Sequence, residues 1–275
     1  MKVSALTIYP IKALAGIELQ SATVTRHGLQ YDRRFMLVDQ AGKFMTQRAN
    51  PELTAFSVHL VDGNVVVGYP NGGSVAFPAH PSEGQGSRAT VWDDAVDVTP
   101  VSKEVDTFFS DVLGSDVRLV GMPESSIRQV DQTYGREQDV VSFADGYPIL
   151  VLGAASIGEL NGRITAKGNL AVPVNRFRPN ILISGAEPWK EDTWTAMHFS
   201  ALPFPRASIR LVKPCARCLV IRTDQKTGQR HAEPLETLVT YRKFGSKVLV
   251  GMNAIPEEAS LGCVIDVGES FTVSD

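Results

Sequence analysis

Short apolar runs typical of strands make up most of residues 1–100, and Val3–Ile8 alternates apolar and polar residues with the period of two that a half-buried strand produces. Turn-forming residues interrupt these runs, as at Asp39–Gly42 and at Asp62–Asn64 between two apolar runs. Strands are predicted at Val3–Ile8, Phe35–Val38, Phe56–Val61 and Val65–Val67. Short strands separated by Gly and Asn turns favour a barrel or a sandwich.

Helical spacing of apolar residues first occurs at Ser102–Leu113, where Ser102 is also a candidate N-cap. Two more helices are predicted, at about Ser156–Ile164 and Pro234–Arg242. Further strands are predicted at Tyr147–Leu152, Ile181–Ile183, Ile209–Val212, Leu219–Ile221, Val248–Val250 and Phe271–Val273. Because strands dominate, the predicted class is α+β, mostly β and built on barrels, with a few peripheral helices.

The segment Lys213–Cys218 carries two of the three cysteines between basic side chains. Cationic neighbours such as Lys213 and Arg217 stabilise a thiolate, which is a nucleophile and a ligand for soft metals. Chemistry is therefore expected at Cys215 and Cys218.

Four interpretations of this cysteine pair stay open. A zinc site would need two more ligands, which His231 and Cys263 could supply. A thioredoxin-like pair should open a helix, whereas the β-branched residues of Leu219–Ile221 predict a strand. A single thiolate that holds a soft metal centre needs only a cationic pocket, and two inert buried cysteines need no partner at all.

Basic residues recur at the ends of the strand-like runs. Arginine in such a place can project into the mouth of a pocket and bind a phosphate through two hydrogen bonds. The residues concerned are Lys12, Arg33, Arg34, Arg176, Arg178, Lys213 and Arg217. Their shared position favours a pocket for an anionic ligand.

Two further motifs match sites of known chemistry only in part. Gly84–Ala89 fits a loose dinucleotide-binding pattern but lacks the strand before it and the helix after it, so we interpret it as a loop. Ser156 follows an apolar run as in a nucleophile elbow, yet Ala154 occupies the place of the first glycine. Because Ser156–Glu159 is a capping box, Ser156 is predicted to be the N-cap of its helix.

Composition and charge narrow the class of protein. A net charge of -3 and a pI near 6.0 argue against nonspecific nucleic-acid binding. The apolar runs fall short of the roughly 20 residues of a membrane helix, and Met1–Ile8 is too interrupted for a signal peptide. Three cysteines are unlike a secreted disulfide framework. We expect a cytoplasmic protein of one large or two modest domains, with neither membrane nor nucleic-acid partners.

Several blocks of the chain together resemble the MOSC family, the molybdenum-cofactor-sulfurase carboxy-terminal-like proteins. The blocks are Ile8–Lys12 with Gly16, Tyr31–Val38, Asp145 with Tyr147 and Pro148, Asn175–Asn180, and Lys213–Cys218 with Asp224, Thr227, Gly228 and Pro234–Arg242. The resemblance covers nearly the whole chain and implies an amino-terminal β-barrel domain over residues 1–120 and a MOSC β-barrel domain over residues 121–275. Within the family, the chain is similar to the amidoxime-reducing components and their bacterial counterparts, which reduce N-hydroxylated bases.

The resemblance also implies a molybdenum cofactor bound between the two barrels. Cys218 would be the metal ligand and a catalytic residue, with Cys215 as its neighbour, and Asp145 would act near the metal or in proton delivery. The residues implied to hold the cofactor are Lys12, Arg34, Gly146, Tyr147, Arg178, Asn180, Arg217 and Asn253. The implied activity is the reduction of N–OH to N–H in small molecules such as N-hydroxylated purines or amidines.

Two features depart from the pattern of the family. Ala13 stands where relatives often carry a serine, so one side-chain contact to the cofactor is missing. The chain ends at Asp275 without spare cysteines for an iron–sulfur cluster, so electrons are expected from a separate ferredoxin- or flavoprotein-type protein. The alternative function is a non-catalytic carrier of molybdenum cofactor or sulfur, and the family also bears a label of pyridoxal phosphate binding.

Overall fold

A computed structural model of the chain describes residues 1–84, 86–201 and 204–275, and their side chains except those of 200, 201 and 204–206. The strands up to residue 121 are β1 (Lys2–Ile8), β2 (Ile17–Leu19), β3 (Ser21–Thr25), β4 (Gly28–Leu29), β5 (Phe35–Val38), β6 (Ser57–Val61), β7 (Asn64–Tyr69), β8 (Gly73–Pro78), β9 (Ser87–Val91), β10 (Asp94–Pro100) and β11 (Arg118–Gly121). The later strands are β12 (Ile149–Gly153), β13 (Ile181–Ser184), β14 (Ala196–Ala201), β15 (Phe204–Ala216), β16 (Lys243–Phe244), β17 (Lys247–Pro256), β18 (Val264–Asp266) and β19 (Phe271–Ser274).

Helices are fewer and shorter than strands. The α-helices are α1 (Lys103–Leu113), α2 (Ala154–Ala166) and α3 (Leu235–Val239). Single 3-10 turns occur at Pro51–Ala55, Val174–Phe177, Lys190–Thr193, Leu219–Arg222 and Glu258–Ser260. In the described ranges, none of the helices combines the length and the apolar character that a membrane crossing requires. The predicted class, α+β and mostly β, is confirmed.

One nine-stranded sheet joins the two ends of the chain. Its order is β19-β14-β15-β17-β12-β13-β1-β2, with β16 added on β17. Strand β1 pairs antiparallel with β13, where Leu6 faces Ile181, and both side chains are fully buried in one core cluster. Strand β3 likewise pairs with β18. The start of the chain is therefore hydrogen-bonded into the second half, and the boundary predicted at residue 120 does not separate two independent sheets.

Smaller sheets and α1 form the rest of the first half, in the orders β5-β11-β10-β9 and β6-β7-β8. Helix α1 buries Val105 and Phe109 against these strands. The Ser102 hydroxyl accepts a hydrogen bond from the Val105 amide at 3.2 Å, which confirms the predicted N-cap. Strand β9, and not a helix, begins within the Gly84–Ala89 motif at Ser87, while Gln85 lies outside the described residues.

The predicted strand at Leu219–Ile221 is wrong, because these residues begin the 3-10 turn Leu219–Arg222. Pairing of β15 with β17 ends at Ala216, and one further hydrogen bond joins the Arg217 amide to Val248 at 2.8 Å. Beyond it the chain turns so that Ile221 enters the core while Leu219 stays exposed. The β-branched residues of this segment do not form a strand here, and Ile221 is instead buried in the core from a turn.

Ser156 is not the N-cap that its capping-box pattern predicts. Helix α2 begins at Ala154 after Gly153, and Ser156 lies fully buried in its first turn. Its hydroxyl donates to the carboxylate of Glu191 at 2.7 Å, and the Gly153 amide donates to the same carboxylate at 2.9 Å. Glu191 therefore satisfies the amino terminus of α2 from a distant part of the chain, and such a partner leaves no local pattern.

Candidate functional site

A cavity opens where the two halves of the chain meet. Its wall combines the segment after β1, the loop before β6, the loop before β12 and the end of β15. The lining residues are Lys12, Ala13, Arg33, Thr46, Gln47, Arg48, Ala144, Asp145, Gly146, Tyr147, Leu150, Phe177, Arg178, Asn180, Cys215, Arg217, Cys218, Val220 and Asn253. Every predicted site residue except Arg34 is among them.

Lys12 and Asp145 form an ion pair in the wall of the cavity. The buried Lys12 Nζ donates to Asp145 Oδ1 at 2.6 Å and to the Phe143 carbonyl at 2.7 Å. Partial desolvation in the cavity wall opposes ionisation of Asp145, but the charges of Lys12, Arg33 and Arg48 outweigh it and hold its pKa well below the usual range. Burial lowers the pKa of Lys12 from its usual value, although Asp145 opposes this. The Asp145 carboxylate, 67% exposed, stays ionised and available from the cavity.

The loop that carries Asp145 is fixed by Arg128. This buried guanidinium donates to three successive parts of the loop, the carbonyls of Ser142 at 2.9 Å, Ala144 at 2.6 Å and Asp145 at 3.1 Å. Asp94 supplies its counter-charge at 2.7 Å. Arg128 touches none of the cavity surface, so it is a positioning residue.

Arg33 lies at the centre of the contact between the two halves. Its Nη1 donates to Asp32 at 2.6 Å and to Asn180 Oδ1 at 3.1 Å, and its Nη2 donates to the carbonyl of Arg178 at 3.3 Å. Asp32 is 1% exposed and also accepts from the amide of Tyr9 at 2.8 Å. Burial raises the pKa of the Asp32 carboxyl, and Arg33 opposes that rise. The pair ties residues of the first half to the segment before β13.

Arg34 does not line the cavity, which corrects its predicted role. The left-handed backbone at Arg33, with φ of 49°, sends the two neighbouring side chains to different places. Arg34 contacts the ring of His27, donates to the Met122 carbonyl at 2.6 Å and pairs with Glu124 at 2.8 Å. Arg33 lines the cavity instead. The sequence singled it out only as one of seven basic residues at the ends of strand-like runs.

His27 makes stability depend on pH near neutrality. It is 3% exposed, and burial together with Arg34 and Arg26 lowers its pKa to about 3. An unfolded histidine takes up a proton below about pH 6.5, so the free energy of unfolding falls by about 1.4 kcal/mol per pH unit as the pH drops below that value. Between about pH 7.5 and 5, we expect the wild type to lose about 2 kcal/mol more than His27→Gln in urea unfolding. Equal losses would contradict this assignment.

Arg178 reaches the cavity from a left-handed residue, with φ of 53°. Its guanidinium lies 4.1 Å from the centre of the Tyr9 ring, and its Nη1 donates to Gln225 Oε1 at 3.3 Å. Burial lowers the pKa of Arg178 to about 10, although Tyr9 opposes this. Gln225 also exchanges two side-chain hydrogen bonds, at 3.0 and 2.9 Å, with the buried Gln47. Through Gln225, this amide pair links the Thr46–Arg48 loop to Arg178.

The two cysteines line the cavity with different neighbours. Arg217 Nη1 donates to Cys215 Sγ at 3.1 Å, and its Nη2 donates to the Phe177 carbonyl at 2.7 Å. Cys218 is half-buried at the start of the Leu219–Arg222 turn. The guanidinium expected to support thiolate chemistry therefore contacts Cys215.

Arg176 and Lys213, two more of the seven basic residues at the ends of strand-like runs, do not line the cavity. Arg176 is buried and pairs with Asp224 at 2.9 Å. Lys213 lies over the ring of Tyr134 at 4.3 Å and 3.8 Å from Asp131. Both act as structural charges.

The zinc alternative finds no support in the geometry. Among residues 1–84, 86–201 and 204–275, no group of three or more Cys, His, Asp and Glu side chains could hold a metal ion. Cys215, Cys218, His231 and Cys263 are all described, and they are not brought together.

The sequence interpretation missed the wall formed by Thr46, Gln47 and Arg48. Arg48 lies 4.4 Å from the centre of the Trp92 ring at the cavity rim, and its charge helps to lower the pKa of Asp145. The basic character of Arg48 was a weak signal, since one arginine between two strands is usually solvated. Nothing local distinguishes Gln47, because its partner Gln225 lies 178 residues away.

The donor set of the cavity fits an anionic, phosphate-bearing group with a soft metal. The cations Lys12, Arg33, Arg48, Arg178 and Arg217 line it, and Asp145 is the one acidic residue among the described lining residues. In the described part of the chain, Arg178 Nη2 and Arg217 Nε are buried without a hydrogen-bond partner. Such donors are costly unless a ligand accepts from them. Cys218 supplies a soft sulfur at the same wall.

Comparison with known proteins shows the family to which the chain belongs. The profile of the MOSC N-terminal beta barrel domain matches residues 1–116, and that of the MOSC domain matches residues 138–272. A molybdenum cofactor sulfurase of Oryza sativa subsp. japonica is 30% identical, over 90% of this chain and 31% of the relative. Mitochondrial amidoxime-reducing component 1 of Mus musculus is 30% identical, over 87% and 71%, and that of Danio rerio is 28% identical, over 89% and 76%. The chain spans about a third of the sulfurase and about three quarters of the amidoxime-reducing components.

Proposed function

Because the chain belongs to the MOSC family, we propose that it binds a molybdenum cofactor in this cavity and reduces N-hydroxylated bases. The observation that carries the proposal is a half-buried thiol, Cys218, in the same cavity wall as two guanidiniums that each keep one buried nitrogen, Arg178 Nη2 and Arg217 Nε, without a hydrogen-bond partner in the described part of the chain. One relative that matches most of this chain is a mitochondrial amidoxime-reducing component, and another is a molybdenum cofactor sulfurase.

The residues divide between holding the cofactor and handling the substrate. Cys218 would ligate the metal, while Arg178 and Arg217 would bind the phosphate and pterin. When bound, the cofactor supplies a metal that takes up two electrons and delivers them to the N–O bond. Overall, one N–O bond breaks, and two electrons and two protons convert the N-hydroxy group to N–H and water.

Lys12 and Asp145 would handle protons and orientation. Asp145, with a pKa held well below the usual range, is ionised at neutral pH and accepts a hydrogen bond from the substrate. Lys12, whose pKa burial lowers, is the better donor of the proton that leaves with the oxygen. This assignment gives the predicted role of proton delivery to Lys12 rather than Asp145.

The activity is tested with the cofactor-loaded protein, reduced methyl viologen as a chemical electron donor and an aromatic amidoxime as substrate. We expect stoichiometric conversion to the amidine at a rate of the order of 1 per second, the low end of ordinary enzymes. The matched amide, which has no N–OH group, serves as the control. A loaded protein that leaves the amidoxime unchanged would contradict the proposal.

The second candidate is a carrier of molybdenum cofactor or sulfur, favoured by the match to the sulfurases over this same region. A carrier would transfer its cargo to an acceptor apoenzyme and would give no catalytic amidine. A cytoplasmic location and pyridoxal phosphate binding stay predictions from the sequence.

A further inference from the structure

Arg48 is a cation of the cavity wall whose charge has no acidic partner. Lys12 is paired with Asp145 at 2.6 Å. Arg33 is paired with Asp32, also at 2.6 Å. Among the described residues, by contrast, none accepts a hydrogen bond from the Arg48 guanidinium or forms an ion pair with it. The positive charge of Arg48 can therefore be met by a molecule that enters the cavity.

Arg48 also differs from the two arginines assigned to the cofactor. Arg178 donates to Gln225 at 3.3 Å, and Arg217 donates to the Phe177 carbonyl at 2.7 Å. Each of these two keeps one buried nitrogen without a partner, whereas the unpartnered nitrogens of Arg48 are not buried. Arg48 is half-buried at the cavity rim, so its donors still contact water. This suits a ligand that arrives from solvent and leaves again.

Two aromatic rings connect the Arg48 guanidinium to Lys12. The guanidinium carbon lies 4.4 Å from the centre of the Trp92 ring, and that ring lies 5.0 Å from the ring of Phe44. Lys12 Nζ lies 5.4 Å from the centre of the Phe44 ring on the side of the cavity wall. A cation over an aromatic face is stabilised without the use of its N–H groups. The Trp92 contact therefore holds the guanidinium while its hydrogen-bond donors stay free.

The backbone at Arg48 is held by residues of both halves of the chain. Arg230 Nη2 donates to the Gln47 carbonyl at 3.4 Å and to the Arg48 carbonyl. The Gln47 side chain donates to the Ala13 carbonyl at 2.7 Å and to Gln225 at 3.0 Å. A binding group that is fixed before its ligand arrives loses little conformational freedom on binding. Arg48 is such a group.

Arg48 acts on the same space as Asp145. Its charge is one of those that hold the pKa of Asp145 below the usual range, so the two side chains are near enough to interact through the cavity. Both line the cavity, and the proposed function places the N-hydroxy end of the substrate at Asp145. The rest of the substrate then lies in the part of the cavity that Arg48 borders.

We propose that Arg48 binds a carboxylate of the substrate, so that the enzyme selects N-hydroxylated compounds with one acidic group remote from the N–OH group. This inference rests on the proposed function and names the substrate class of that same site. Asp145 would receive the N-hydroxy end and Arg48 the acidic end. A planar guanidinium pairs with a carboxylate through two parallel hydrogen bonds. One unpaired guanidinium also balances one negative charge, which suits a carboxylate better than a doubly charged phosphate.

The test uses benzamidoximes that differ only in the group remote from the N–OH group. The 3- and 4-carboxy compounds carry the acidic group, and the corresponding carboxamides are neutral compounds of nearly the same shape. Each is reduced by the cofactor-loaded enzyme with reduced methyl viologen. The variants are Arg48→Gln and Arg48→Lys. Arg88→Gln is the matched control, because Arg88 is 72% exposed, pairs with Asp97 and does not line the cavity.

We expect the wild type to favour at least one carboxylate isomer over its carboxamide by about tenfold in kcat/KM, as a charge-assisted pair at a half-buried site allows. The ratio should fall to about one in Arg48→Gln, recover in part in Arg48→Lys and stay at the wild-type value in Arg88→Gln. Because the ratio is taken within each variant, a general loss of rate does not change it. Raising the salt from about 0.05 to 0.5 M should lower the wild-type ratio.

Two further measurements do not depend on turnover. The carboxy amidine, the product of the preferred substrate, should bind the loaded Arg48→Gln protein about tenfold more weakly than the loaded wild type in calorimetry, and the carboxamide amidine should bind both with equal affinity. The contents of molybdenum and pterin per chain should be the same in Arg48→Gln and the wild type, since Arg48 is assigned to the substrate and not to the cofactor.

Several outcomes would overturn this assignment. A wild-type ratio near one for both isomers would show that the enzyme does not select acidic substrates. A ratio that survives in Arg48→Gln would assign the carboxylate to another cation. Loss of pterin from Arg48→Gln would place Arg48 at the cofactor instead. A loaded wild type that reduces none of the four amidoximes would refute the proposed function, and the substrate class with it.

Discussion

Cys218→Ala is expected to lower amidoxime turnover at least about a hundredfold while the fold is retained. The proposed metal ligand is removed, and even residues that only support metal ligands cost roughly 10- to 100-fold when they are changed. The free energy of unfolding should change by no more than about 1 kcal/mol, because the side chain is small and half-buried. Viologen-driven turnover and thermal unfolding of the same preparation measure the two effects.

Cys215→Ser is the matched control, since both cysteines line the cavity. The serine oxygen can still accept the hydrogen bond that Arg217 donates to Cys215 at 3.1 Å. Turnover should therefore stay within a few-fold of the wild type. Full turnover in Cys218→Ala, or loss confined to Cys215→Ser, would show that the metal ligand has been assigned to the wrong cysteine.

Asp32→Ala is expected to destabilise the protein by about 3–5 kcal/mol, because it leaves the guanidinium of Arg33 buried without its counter-charge. The carboxylate is 1% exposed and 2.6 Å from Arg33. The substitution also leaves the amide of Tyr9 without its acceptor. Urea unfolding followed by tryptophan fluorescence measures the loss, and the loaded fraction of cofactor should fall with it because Arg33 lines the cavity.

An exposed ion pair provides the control for this prediction. Arg88 and Asp97 are 3.1 Å apart, with side chains 72% and 69% exposed. Asp97→Ala should cost less than about 1 kcal/mol, as water screens such pairs. Comparable losses in the two variants would contradict the structural importance of the Asp32–Arg33 pair.

Elements with a regular local pattern could be predicted from the sequence. Strands such as β7 alternate in burial, β5 and β12 are continuous buried apolar runs, and α1 has both a helical stripe and a serine cap that the structure shows. The segment Lys213–Cys218 attracted attention because two thiols and two cations lie within six residues. These signals are local, and local chemistry alone is enough to produce them.

The remaining features depend on contacts between distant residues. No local rule decides whether Arg33 or Arg34 enters the cavity, because that depends on a left-handed backbone at Arg33 and on Asp32, Asn180 and Tyr9 around it. Ser156 fits a capping box, yet its hydroxyl donates a hydrogen bond to the carboxylate of Glu191, which lies 35 residues away. The pairing of β1 with β13 likewise joins the first strand to one far along the chain.

The most direct measurement of the central claim is the content of molybdenum and pterin per chain, determined on protein made in a host that synthesises the cofactor. The cationic cavity with Cys218 at its wall predicts near one molybdenum and one pterin per chain. It also predicts loss of molybdenum in Cys218→Ala. A preparation that holds zinc and no pterin, or that gains neither molybdenum nor pterin when the cofactor is supplied, would contradict a molybdenum-cofactor site in this cavity.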